Sequence, residues 1–188
     1  MPFERPPEVT DPKAMRALAH PVRMALLEAL TEHRQLTATE AGEIMGESPA
    51  NASFHLRQLA KYGYVEEAEG GTGRRRPWKR KHLGMRFTEV HDDPETAAAA
   101  RELSRVFSNR YLARAETGLE ENRSLPDEWR AVLGWNLMGL YLTPAELKEL
   151  DDKILDLMYD HFGERRIRTE DTPEDAERVE ILTFAYRA

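Results

Sequence analysis

The chain of 188 residues contains no cysteine. That absence removes disulfides, thiolate nucleophiles and every cysteine-based metal site, and it fits a reducing cytoplasm. No apolar run approaches the roughly 18 residues of a membrane span, so no membrane partner is expected. The N-terminal MPFERPPEVTDP lacks a basic segment followed by an apolar one, so it is not a secretory signal and reads as a flexible arm over residues 1–10. The six histidines are scattered. With no glycine-rich phosphate loop and no metal-ligand helix beside them, neither an enzyme nor a cofactor site is expected.

Positive net charge is also lacking, since the whole chain carries −7. The deficit is uneven. Residues 1–86 hold 14 Lys/Arg and 11 Asp/Glu, a net +3, whereas residues 87–188 hold 13 and 23, a net −10. Such asymmetry suggests a basic and an acidic functional part, the acidic one repelling a polyanion toward the basic face.

The most informative stretch is SPANASFHLRQLAKYGYV, residues 48–65. Ser48 is a good N-cap and Pro49 suits the first helical position. Ala52, Leu56, Leu59 and Ala60 recur at helical spacing and predict a buried face, and Gly63 can end the helix. Ser48, Asn51, Ser53, Phe54, His55, Arg57, Gln58 and Lys61 remain for contacts, the kind of small polar face that enters a DNA major groove, with a structural hydrogen bond an equal alternative for His55. An ordinary amphipathic surface helix fits this stretch alone equally well. Its neighbours favour DNA. Thr37 with Glu40 has capping-box spacing for a short helix, TATEAGEIMG, which Gly46 ends two residues before the Ser48 cap. Two helices joined so tightly make a helix-turn-helix. Tyr64 to Glu69 reads as a strand, GGTG as a turn, and RRRPWKRK, with Arg74, Arg75, Arg76 and Lys79, as the return strand of a basic wing. The alternatives for that run are a solvated loop or a localisation-like patch. Pro77 suggests an edge or a bend, and Trp78 a ring packed at the wing base.

Elsewhere, Asp11 and Pro12 start one helix, Pro21 a second, and a polar break covers His33 to Gln35. A third short strand is expected at Met85 to Glu89. Asp93 and Pro94 open a helix that would span roughly 40 Å. Leu103, Val106, Phe107 and Tyr111 form one apolar side of it, with Leu112 and Leu119 nearly opposite, as in a helix packed against two bodies. Trp129 to Leu142 and Val179 to Tyr186 read as strands of a small sheet beside a helix starting at Thr143-Pro144. Trp135, Met138, Tyr141, Met158 and Phe162 could line a pocket for an apolar small molecule, or simply fill a core. The expected class is α+β and mainly helical. The divisions are an arm (1–10), a winged helix (11–90), a long dimerisation helix (94–122) and a C-terminal α/β domain (125–188).

DPKAMRALAHPVRMALLEAL, with its His20-Pro21-Val22-Arg23 step, and SPANASFHLRQLAKYGYVEEAEGGTGRRRPWK together resemble the ArsR-type winged-helix transcriptional regulators over about residues 10–82. Ser48, Ser53, His55, Leu56, Leu59, Gly63 and Val65 sit where that pattern has such residues. The remainder looks like a longer C-terminal extension. The resemblance implies operator binding by a cytoplasmic homodimer, often a repressor, with the first helix (Met15, Leu18) and the helix after the wing (Leu103 to Leu112) at the interface. Cysteine metal ligands of some members would fall at Ala41 to Met45, so that site is absent. His91, Asp92 and Asp93 are too few and too close in sequence for a second type of metal site. A protein–protein module using the winged helix as a docking surface is the alternative.

Overall fold

The computed structural model describes residues 7–71, 75–82, 84–162 and 172–186. Helix α1 (Pro12–Leu18) starts where the Asp11 carboxylate accepts from the amides of Lys13 and Ala14. Helix α2 (Pro21–His33) has a rarer cap, since His20 Nδ1 accepts from the Val22 amide at 3.2 Å. The expected polar break is smaller than its sequence suggested. The helix runs through His33, and Gln35–Leu36 forms strand β1. Two residues are too few to show a strand period.

Helix α3 (Ala38–Met45) carries the full Thr37/Glu40 capping box and ends at Gly46 with φ +66°. Helix α4 (Pro49–Lys61) begins with the Asn51 amide donating to Ser48 Oγ at 3.1 Å. Strands β2 (Val65–Glu67) and β3 (Trp78–Arg80) form an antiparallel hairpin, and β1 adds to its other side in the order β1-β3-β2. Strand β3 is therefore central, which corrects the expectation of an edge. Pro77 is buried one residue before the ladder, so its missing donor interrupts no pairing there. Trp78 packs against the core as expected.

Asp93 Oδ2 accepts from the Thr96 amide at 2.8 Å and opens helix α5 (Pro94–Glu121). Ala99, Ala100 and Leu103 join Met15, Leu18, Leu26, Leu30, Leu56, Leu59 and Val65 in one core. The side chains of Met15, Leu18 and Leu103 are fully buried. They hold the protomer together, and this corrects their assignment to a dimer interface. The arm is likewise shorter than expected. Val9 N donates to Arg86 O at 2.8 Å and Glu8 bridges Arg86, fixing residues 8 and 9, while residues 1–6 lie outside the described residues. That bridge is all that forms of the strand expected at Met85 to Glu89.

The chain divides into two units, 1–107 and 108–188, with the boundary inside α5. The second unit holds a 3-10 turn (Asn122–Ser124), helix α6 (Asp127–Arg130) and helix α7 (Pro144–Phe162). Thr143 and Glu146 form the predicted capping box for α7. The predicted end at Gly163 lies outside the described residues. Neither expected strand is present. Trp129 sits in α6, residues 131–143 are irregular, and residues 176–186 form no strand. Among its described residues the unit is helical and has no sheet, which corrects the α/β expectation for 125–188. Alternating or continuous apolar residues favour a strand only when a neighbour supplies the backbone donors and acceptors. The chain as a whole remains α+β and mainly helical.

Candidate nucleic-acid interface

Helix α4 is held from behind. Ala52, Leu56 and Leu59 are fully buried. The turn from α3 leaves little space, because a Cβ on Gly42 would come within 2.7 Å of the Glu47 carbonyl oxygen. This glycine lets α3 and α4 approach, a role that its position inside a helical pattern conceals. Phe54, Arg57 and Lys61 are exposed on the opposite side, with Ser53, Gln58 and Asn51 half-buried beside them. Arg57 folds back on its own helix, donating from Nη2 to Ser53 Oγ at 2.8 Å. Asn51 Nδ2 donates to Glu47 Oε2 at 2.7 Å, so reading a base edge would require it to leave that carboxylate.

His55 departs from the surface set. Only 6% of it is exposed, its ring centroid lies 4.7 Å from that of His20, and its Nδ1 has no hydrogen-bond partner. Burial holds both imidazoles below their ordinary pKa, and the nearby Arg23 guanidinium adds to the effect. His55 thus belongs to the support of α4, on the side of the structural alternative, although by packing against His20 and not by a hydrogen bond from Nδ1. Burial also lowers the pKa of Arg23, and its Nη2 donates to the Arg16 carbonyl at 3.0 Å. The cluster links α2 to α4 and could not be read from two histidines 35 positions apart.

The hairpin carries the basic run differently from the expectation. Arg75 and Arg76 precede β3 and are exposed, and Arg74 lies outside the described residues. Arg76 Nη1 meets Glu67 Oε2 at 2.5 Å, and Lys79 Nζ meets Glu66 Oε1 at 3.2 Å. The acids of β2 therefore partly neutralise the wing until a polyanion competes for its cations. Arg80 instead reaches inward, donating to Thr31 Oγ1 at 2.7 Å.

Val106, Phe107 and Tyr111 are half-buried and Leu112 is exposed. Phe107 is engaged edge-on with Phe87 at 5.9 Å. The five residues suggested for an effector pocket do not enclose one. Trp135, Met138, Tyr141 and Phe162 are exposed, and Met158 is half-buried on α7. Apolar residues without regular spacing close a cavity only if the chain folds back over them. His91 and Asp93 are also occupied otherwise, His91 Nε2 with Thr88 O at 2.9 Å and Asp93 with the start of α5.

Three helices, a tight α3–α4 turn and a basic hairpin beside an exposed α4 define a helix-turn-helix domain with a wing. A family model described as a helix-turn-helix domain matches residues 18–67, which span α2 through β2. No curated protein matches the chain. No described helix is long and apolar enough to cross a membrane.

Proposed function

We propose that the chain is a sequence-specific transcriptional regulator of the ArsR type, acting as a homodimeric repressor. The reading rests above all on α4, which is buried along Ala52, Leu56 and Leu59 and bare along Phe54, Arg57 and Lys61, with Arg75 and Arg76 on the adjacent hairpin. Two copies would offer two such helices to successive major grooves, about 34 Å apart along the duplex. Gln58, and Asn51 once released from Glu47, are suited to adenine edges, and Arg57 to guanine or phosphate. Ser48 and Ser53 suit phosphate contacts, while Arg75, Arg76 and Lys79 suit phosphates or the minor groove. The net −10 of residues 87–188 opposes non-productive binding elsewhere on the chain.

The decisive measurement is operator affinity against salt. Each neutralised phosphate contributes about −0.9 to the slope of log affinity on log salt, so Arg75→Glu with Arg76→Glu should flatten it by about 2 per protomer. Unchanged affinity and slope would sink the wing assignment. A gel shift at two salt concentrations also separates this reading from a protein-docking module, which would show no salt-dependent DNA retention.

A further inference from the structure

We propose that a second copy of this chain covers the apolar surface of the C-terminal unit, so that the two C-terminal units share a core that neither has alone. Among the described residues, none from Ser104 to Tyr186 is buried. The same stretch holds large side chains that a lone chain leaves bare, including Trp135 at 72%, Leu137 at 92% and Tyr186 at 75% exposure. Described residues without an interior do not by themselves offset the entropy of ordering their backbone. Helix α7 is nevertheless built to pack. Leu147, Leu150, Ile154 and Leu157 follow one another at steps of three, four and three, the narrow seam of a helix that meets another helix.

The size of the surface argues for a protein rather than a small ligand. Trp135, Tyr141, Phe162, Phe184 and Tyr186 alone present on the order of 700 Å² of aromatic surface, close to the ~800 Å² per partner of a standard interface. Charge argues against nucleic acid or an anionic membrane. Residues 108–188 carry 11 Lys/Arg and 18 Asp/Glu, a net −7. Beside the α7 seam, Lys148 pairs with Asp152 and Lys153 with Glu149 within the helix, which limits repulsion between two copies. A surface that needs covering whenever the chain is made calls for a partner that is always present, and a second copy meets that condition. This inference supplies the contact for the dimer in the proposed function but does not depend on DNA binding.

Sedimentation equilibrium of the full chain without DNA tests it. The wild type should be dimeric, and Leu150→Asp with Leu157→Asp should raise the dissociation constant by about 100-fold or more. Leu137→Asp with Tyr141→Ala, at exposed positions outside any helix, should weaken it in the same direction without touching α7. Hydrogen exchange of the wild type at concentrations bracketing that constant should show protection of residues 144–162 rising with concentration. A monomeric wild type, variants that dimerise undiminished, or protection independent of concentration would each overturn the shared core. A dimer that forms but binds no DNA would overturn only the regulator reading.

Discussion

His20 and His55 meet where α2 and α4 pack, with Arg23 beside them and Glu47 at the α4 start as the acid that partly offsets them. Both imidazoles are held below their ordinary pKa by burial. The unfolded chain therefore binds more protons once pH falls through the usual histidine value of about 6.5, and stability declines with it. Protonation of His20 at Nδ1 would also cost the α2 cap, because that nitrogen accepts the Val22 amide. Urea denaturation at pH 7.5 and pH 5 should give a lower midpoint in acid, and His55→Gln should reduce the difference. Gly42 provides a second test at this scale. Gly42→Ala places a Cβ 2.7 Å from the Glu47 carbonyl oxygen, backbone that cannot step aside without moving the turn. A loss of about 1–3 kcal/mol in thermal or chemical denaturation is expected, the usual cost of overpacking. Ser48→Ala removes the acceptor for the Asn51 amide and should cost about 1 kcal/mol.

At the scale of elements, α4 couples stability to recognition through its two sides. Leu56 is fully buried under it, so Leu56→Ala should destabilise the domain by about 2–5 kcal/mol and weaken DNA binding only through unfolding. Phe54→Ala on the bare side should do the reverse, leaving the melting midpoint within about 0.5 kcal/mol of wild type while lowering operator affinity. Paired denaturation and anisotropy measurements separate the two cases. The hairpin illustrates what elements conceal in sequence. Six cations in the eight residues RRRPWKRK suggested one continuous basic strand. In the fold, Arg80 turns in to Thr31, Lys79 and Arg76 lie against Glu66 and Glu67, and Arg75 is left exposed before β3. The pairing partners lie on another strand or helix, so spacing along the run could not assign these roles.

For the whole molecule, charge and burial divide the chain in a similar way. Every buried residue of the described structure lies at or before Leu103; most fall in the basic part, Ala97, Ala99, Ala100 and Leu103 on α5 being the exceptions, and the acidic stretch after Leu103 contains none among the described residues. A regulator so built would read DNA with one unit and associate through the other. Much of this was legible from local chemistry. Asp11, Thr37, Ser48, Asp93 and Thr143 each start a helix where a short polar side chain meets the first free amides, and Gly46 and Gly63 take positive φ where helices end. These are interactions over three or four residues, which the order of residues determines by itself. The amphipathic face of α4 belongs with them. Contacts between distant residues were decided only by the tertiary structure. His55 went inward to His20, and Met15, Leu18 and Leu103 closed the protomer's own core. The short strand β1 formed because β3 offered it a ladder, while the apolar stretches after Trp129 found no such neighbour and stayed irregular. Hydrophobicity says that a side chain should leave water but does not say against what. Caps were therefore set by the sequence, and partners by the fold.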